Sequence, residues 1–332
     1  MACSKKVAEV ITMKVSIIIP VWGVAQWVEE CAESLMRQTY ADIEYIFVDD
    51  CSPDDSVAII RRVVSRYAAR TDNVKIIGHD RNRGVAAARN TGTDAATGDA
   101  VMHVDGDDRV REDMVALMVA EMERSGSDVV ECGYVKESDD GEVRVSPIIC
   151  SDDTYLRLLL CQNLVHNGMW CRLMKRRLFT DGKIRFVEGV NYGDDFAVIP
   201  RLMSLCKRRT VVNECLYYYN NKNEGSYTHR LNDRHCSEYI EAMNTVFGYF
   251  AGREELKRFS SALDVAMVNV ARHTRRYGND PQVLMREAKF APLTAMGRII
   301  GTIMAGRLPL VAANYVYLLW RKWLVWKWTK IS

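Results

Sequence analysis

The sequence predicts an α/β fold: a mostly parallel sheet flanked by helices, followed by a helical C-terminal region. Three observations carry that expectation. From Lys14 to about Gly106, short β-branched runs alternate with amphipathic stretches, the pattern of strands joined by helical crossovers. Two of those runs end in acidic clusters, Asp49-Asp50 and Asp105-Gly106-Asp107-Asp108. Beyond about Leu231 strand character fades, and the chain ends in a basic, tryptophan-rich tail.

Taken in order, VSIIIPV (15–21) is a continuous apolar run, the mark of a strand buried on both faces. Residues 24–37 place Trp27, Val28, Cys31, Leu35 and Met36 at helical spacing. IEYIFVDD (43–50) is a second strand, and Ser52-Pro53 predicts a helix start directly after it. VKIIGH (74–79), GVAAARNTGTDAA and AVMHVD (100–105) predict strand, helix and strand. A helix at about 110–124 leads to DVVECGYVKE, a fifth strand, and to the hairpin-like SDDGE. The stretch 151–220 is mixed, and FAVIPRLM reads as helical up to Pro200. The N-terminal MACSKKVAEVIT has no apolar run of useful length, so residues 1–12 are expected to be a poorly packed extension without an export signal.

Composition narrows the function classes. The chain has 332 residues, 48% hydrophobic, enough for one large domain or two modest ones with a real core. With 45 basic and 43 acidic side chains the net charge is +2, which excludes a nucleic-acid-coating protein. Its 10 cysteines include no C-x-x-C pair and read as reduced thiols of a cytosolic protein.

Parallel sheets bind ligands at the carboxyl ends of their strands, where this chain gathers carboxylates. Asp105-x-Asp107 has the chemistry to hold Mg2+ or Mn2+ when substrate phosphates complete the shell; a solvated acidic turn is the plainer alternative. An EF-hand is a poor match, because Arg109 and Val110 stand where oxygen ligand and glycine are needed. No G-x-x-x-x-G-K-[ST] occurs, and no G-x-G-x-x-G follows the first strand.

VSIIIPVWG, CAESLMRQTY, IEYIFVDDCSPDDS, NRGVAAARNTGTDAATGDAVMHVDGDD and YGDDFAVIPRL, in that order, resemble an inverting glycosyltransferase of family 2 of the bacterial cell-surface polysaccharide type. The resemblance covers roughly Lys14 to Ser226 and implies the Rossmann-like GT-A fold. It divides the chain into an extension (1–13), a catalytic domain (14–230) and a helical C-terminal region (231–332), with a boundary near Tyr227–Asn232.

Carried over residue by residue, the resemblance implies a donor site for a UDP-sugar. Pro20 and Val21 sit where the nucleotide base packs, and Trp22 replaces the usual tyrosine, which alters the shape offered to the base. Asp49 and Asp50 match the pair of which one member bonds uracil or ribose. Asn82, Gly84, Arg89 and Asn90 match the segment opening a helix, with Arg89 placed for the diphosphate or adjacent sugar, or else bridging its helix to the sheet. Asp105 would face ribose, Asp107 would hold Mn2+ or Mg2+, and Asp108 would assist metal or sugar. In Asp194-Asp195, found where Glu-Asp is usual, Asp195 is the expected general base; Asp194 lies on the acceptor side or caps a helix. Trp170 frames the acceptor pocket or packs, the tyrosines 217–219 pack in a strand, His229 stands near the phosphates or is incidental, and His103 is core.

Glu287 is the last acidic residue, whereas Lys289, Arg298, Arg307, Arg321, Lys322, Lys327 and Lys330 follow it. Trp320, Trp323, Trp326 and Trp328 fall among those bases. Arg307, Pro309 and Asn314 break the apolar stretch 299–320, so the tail reads as an interfacial anchor on an anionic membrane rather than a span. A helical subdomain packing its Trp face on the catalytic domain or a second subunit is the alternative.

The expected activity is transfer of a sugar from a nucleotide-sugar donor to a glycan or lipid-linked glycan, on the cytoplasmic face of the plasma membrane. Two rivals remain: a sugar nucleotidyltransferase, which VWGVAQW disfavours because that class places a glycine-rich, Arg-bearing loop there, and a non-catalytic membrane-docked scaffold.

Overall fold

The computed structural model describes residues 13–162, 165–223, 233–276, 288–289, 291–305 and 310–330. Residues 1–12 of the expected N-terminal extension, the boundary near Tyr227–Asn232, Ser226 and His229 lie outside the described residues.

One nine-stranded sheet organises the molecule, in the order β3-β2-β1-β4-β8-β6-β9-β5 with β7 paired to β6. Its first half follows the expected alternation: β1 (Val15–Val21), α1 (Val28–Met36), β2 (Ile43–Asp49), α2 (Ser56–Val64), β3 (Val74–Gly78), α3 (Val85–Ala95) and β4 (Ala100–His103). These strands are parallel, with Val15 opposite Ile43 on one side and Ala100 on the other. The ladder from β1 to β4 ends at Ile18 opposite His103, so Pro20, which has no N–H to give, lies beyond it.

The second half corrects the expectation of a mostly parallel sheet. It comprises β5 (Arg109–Val110), α4 (Met114–Ser125), β6 (Val129–Ser138), β7 (Gly141–Val145), α5 (Asp152–Leu160), β8 (Arg172–Lys175), α6 (Arg177–Thr180), α7 (Asp194–Leu205) and β9 (Arg209–Asn220). β4–β8, β8–β6, β6–β7 and β5–β9 are antiparallel; only β6–β9 is parallel here. The turn at Asp139-Asp140 is too short for the crossover a parallel neighbour requires. The sheet is therefore mixed.

Two further sequence rules are overridden locally. The helix expected at Pro53 starts at Ser56, because Asp54 Oδ1 accepts from the Ser56 N–H and hydroxyl (3.2 and 2.5 Å). In α7, Pro200 sits inside the helix and the helix runs on to Leu205, since Leu202 and Met203 are buried beyond it.

The core lies in two layers, one on each sheet face. Val15, Ile17, Ile19 and Val21 face α1, α2 and α4, whereas Ile18 faces the α3 side, the period-2 alternation of a strand buried on both faces. Buried Ser16 also points to that second side, where its hydroxyl and the Thr97 N–H donate to Glu44 (both 2.5 Å). These bonds outweigh burial and hold the Glu44 carboxyl down at about 2.

The C-terminal helices α8 (Asp233–Phe250), α9 (Glu255–Arg276), α10 (Ala295–Ala305) and α11 (Leu310–Thr329) share the second core layer with α5 and α7. Among the described residues, no helix is long and apolar enough to cross a membrane.

Candidate active site

The carboxyl ends of β1, β2 and β4 open into one cavity of about 1070 Å³, ample for a substantial ligand. Pro20, Val21 and Trp22 form one wall, Trp22 being half exposed at its mouth. Asp50, Asn82, Gly84 and Arg89 also line it, as do Asp105 and Asp107. Asp194, Asp195 and Trp170 line it as well. Asp49 and Asp108 do not line it.

The acidic pair after β2 is divided by its hydrogen bonds. Asp49 Oδ1 accepts from the Ser52 N–H at 2.8 Å, shaping the turn. Asp50 is buried and accepts from the N–H groups of Arg83 (2.8 Å) and Gly84 (2.7 Å), while His79 Nδ1 lies 2.6 Å from it. Asp50 thus holds the loop that opens α3. Gly84 caps that helix at φ +89°, and a Cβ there would stand 2.3 Å from Asn191 Oδ1, so glycine is required. Asn90 is buried behind the wall, exchanging hydrogen bonds with the Phe186 backbone.

Arg89 projects from α3 into the centre. Its Nη2 donates to Asp105 Oδ1 (2.8 Å), and its Nη1 donates to Asp195 Oδ1 (2.7 Å) and to Asp194. Burial works against its charge, but Asp195, Asp105 and Asp194 together hold it firmly cationic. It bridges helix to sheet as well as facing the cavity.

The turn after β4 separates its carboxylates by role. Asp105 takes Arg89, and its backbone is fixed by the Tyr217 hydroxyl (3.2 Å to Asp105 N) and by the Cys31 thiol (3.5 Å to Asp105 O). Asp107 Oδ2 accepts from Asn223 Nδ2 at 2.8 Å; burial and the Asp105 charge push its carboxyl up to about 6. Asp108 turns inward, accepting from the Tyr217 hydroxyl (2.5 Å) and the Asn220 N–H (2.7 Å), so it ties the turn to β9.

Asp194 and Asp195 open α7 after Gly193, which is the N-cap; Asp194 is therefore the first helical residue rather than the cap. Burial and the neighbouring Asp195 charge push Asp194 up to about 8 against the pull of Arg89. Asp195 is also raised, by burial first, while Arg89 and a hydrogen bond from the Met169 backbone oppose the rise. That backbone belongs to a loop clamped by Arg172, which donates to the carbonyls of His166 (2.6 Å) and Gly168. Arg172 itself pairs with buried Glu131 at 2.5 Å.

Trp170 is almost fully buried and stacks on Tyr217 and Tyr219, with centroids 4.7 and 5.3 Å apart. Its main contribution here is packing. His103 is core, wedged between Phe179 and Phe186. Cys31, Asn223, Met169 and Arg172 join the site without any local sequence signal, because each reaches it through the tertiary fold.

The donor set suits a hard divalent cation. Among the described residues no group of three or more His, Cys, Asp or Glu side chains gathers in ligand positions. Asp107, with Asp105 beside it, offers at most a partial oxygen shell, which phosphate oxygens and water would have to complete. Burial first, and the Asp105 charge second, raise the Asp107 carboxyl, and a bound cation would oppose both.

The model of the family described as "Glycosyl transferase family 2" matches residues 16–182. The chain belongs to glycosyl transferase family 2. It is 31% identical over 247 residues to the uncharacterized glycosyltransferase EpsJ of Bacillus subtilis, covering 71% of this chain and 70% of that one. The uncharacterized glycosyltransferase YibD of Escherichia coli is 24% identical over 96% of this chain and 94% of its own. S. aureus TarS 1–349, solved in complex with UDP-GlcNAc, superposes with a TM-score of 0.56 at 18% identity, over 88% of this chain and 90% of that one. The mixed, helix-flanked sheet of this family 2 glycosyltransferase is thus the GT-A fold.

Proposed function

We propose that this glycosyltransferase is an inverting hexosyl- or N-acetylhexosaminyltransferase that moves a sugar from a UDP-sugar to a glycan or lipid-linked glycan on the cytoplasmic face of the plasma membrane. One observation carries the reading: Asp107 and Asp195 line one cavity, with Arg89 joining Asp195 to Asp105 between them. A bacterial relative points the same way by its name, the poly(ribitol-phosphate) beta-N-acetylglucosaminyltransferase TarS of Staphylococcus aureus.

In this reading Pro20, Val21 and Trp22 seat the base of the nucleotide, and Asn82 and Gly84 line the path beside it. Asp50 keeps the Gly84 N–H and its loop in place. A cation on Asp107, Mn2+ or Mg2+, would offset the charge developing on a departing diphosphate. Asp195 accepts the proton of an acceptor hydroxyl as that oxygen attacks the anomeric carbon. The bond from that carbon to the phosphate oxygen breaks, and its electron pair leaves with UDP. Attack from the face opposite the leaving group inverts the centre. Arg89 keeps the Asp195 carboxylate aimed into the cavity, with Asp194 beside it as a modulator of its charge.

The test is UDP release from a panel of UDP-sugars with Mn2+ or Mg2+, comparing wild type with Asp195→Ala. Release by wild type and its loss in the variant support the reading; equal turnover by both would overturn the base assignment.

A further inference from the structure

The C-terminal helix α11 divides its four tryptophans between two faces. Trp320 and Trp328 are buried with Ala313, Tyr317 and Leu324 in the core shared with α5 and α9. Trp323 and Trp326 are more than half exposed, as are Tyr315 and Leu319, with Val316 beside them. Of the ten large apolar side chains exposed among the described residues, these five and Met296 and Ile299 of α10 lie on the two C-terminal helices.

Helical geometry gives this outer face a definite layout. At about 100° per residue, Tyr315, Val316, Leu319, Trp323 and Trp326 fall within a sector of roughly 100°. Lys322 and Lys327 lie roughly 70° to either side of its middle. Lys327 therefore flanks the exposed stripe instead of interrupting it, because Trp328 belongs to the buried face. The ammonium groups of Lys327 and Lys330 stand 5.4 and 4.4 Å from the ring centroids of Trp323 and Trp326. No ion pair among the described residues engages Lys322, Lys327 or Lys330, and no acidic residue follows Glu287 in the sequence.

We infer that the outer face of α11 docks flat on an anionic lipid surface, with Trp323, Trp326 and Leu319 entering the headgroup boundary and Lys322, Lys327 and Lys330 meeting lipid phosphates. Indole rings favour that boundary, and lysines along an apolar stripe reach outward to anionic headgroups. A two-fold pair of chains joined through this face would oppose lysine to lysine with no carboxylate from α11 to relieve them. The helix is anchored from behind by Tyr317, Trp320 and Trp328, so the stripe is presented as a fixed edge of the folded protein. Docking deepens the membrane location in the proposed function and is separable from its chemistry: failure to dock removes that location and leaves sugar transfer standing, and loss of transfer leaves docking standing.

The experiment is co-sedimentation of the full chain with vesicles of phosphatidylcholine alone and of phosphatidylcholine mixed with phosphatidylglycerol. Binding to the anionic vesicles is expected, weakened by salt, with the tryptophan emission blue-shifted and quenched by brominated acyl chains. W323E/W326E should lower the partition coefficient by more than about ten-fold, and each lysine removed from Lys322, Lys327 and Lys330 by about five-fold. Because these side chains are exposed, the melting temperature of the variants should match wild type. Absence of vesicle binding, binding unaffected by W323E/W326E, or a lipid-free dimer that W323E/W326E dissolves would each overturn the inference, the last in favour of a second copy.

Discussion

Arg89 Nη1 lies 2.7 Å from Asp195 Oδ1, joining a helix that opens at the cavity wall to the carboxylate proposed as base. The same guanidinium holds Asp105 at 2.8 Å, so the turn after β4 and the start of α7 are braced against one another. Asp195→Asn keeps the shape but cannot take a proton. It is expected to lower kcat by about 10²- to 10⁴-fold with little change in KM for donor, measured by UDP release. Arg89→Met leaves buried carboxylates without their cation and should cost about 3–5 kcal/mol, visible in urea unfolding.

The Asp194–Asp195 pair makes the activity pH-dependent in a definite direction. Burial raises both carboxyls, Asp194 to about 8, so the base is increasingly protonated as pH falls. The value of kcat/KM should climb with pH as Asp195 loses its proton, above the range of an ordinary carboxylate. Asp194→Asn removes the neighbouring negative charge and should move the acid limb to lower pH. Stability runs the other way. An unfolded aspartate titrates near about 3.9, so the native state keeps a proton that the unfolded chain has lost. Asp194 therefore weakens the fold as pH rises from about 4 to about 8. Melting temperature measured across that range should fall less steeply in Asp194→Asn than in wild type.

The parallel half of the sheet was legible because β1 is buried on both faces, and a strand so placed must read as an unbroken β-branched run. β8 was not, because it is only four residues long. β9 was legible only at its tyrosines: it runs parallel to β6 through a register shift and antiparallel to β5, pairings set by partners far along the chain. The acidic strand ends announced a charged cavity, but not its division of labour. Asp108 turns inward because Tyr217 and Asn220, more than a hundred residues away, supply its donors. In the same way nothing local in the sequence distinguishes Trp320 from Trp323. Only the face of α11 that meets α5 and α9 decides which is buried.

Asp107 offers a test of cation dependence that does not require turnover. Asp107→Asn removes the carboxylate proposed to hold Mn2+ or Mg2+ but keeps an oxygen able to accept from Asn223. In wild type, UDP with Mn2+ should raise the melting temperature, as any ligand of the native state does, and EDTA should abolish the rise. The variant should show little rise with UDP and Mn2+ together. Its melting temperature without ligand should equal or exceed that of wild type at pH 8, where the raised Asp107 carboxyl (about 6) is ionised and repels Asp105. A full nucleotide-dependent rise in Asp107→Asn would remove Asp107 from the donor site.

Gly84 fixes the turn that opens α3 in the cavity wall. Its φ of +89° and the 2.3 Å approach of a built Cβ to Asn191 Oδ1 leave no room for a side chain. Gly84→Ala must either move Asn191 or change the backbone, and the second choice disturbs the N–H that Asp50 holds at 2.7 Å. The expected cost is about 1–3 kcal/mol from backbone strain, read as a lower urea midpoint at unchanged slope. Because the Gly84 segment lines the cavity beside Asn82, KM for the nucleotide sugar should rise several-fold. The step at Asp195 is left in place, so kcat should fall much less than in Asp195→Asn. A Gly84→Ala enzyme with wild-type KM and stability would mean that the loop opening α3 neither needs its left-handed residue nor touches the donor.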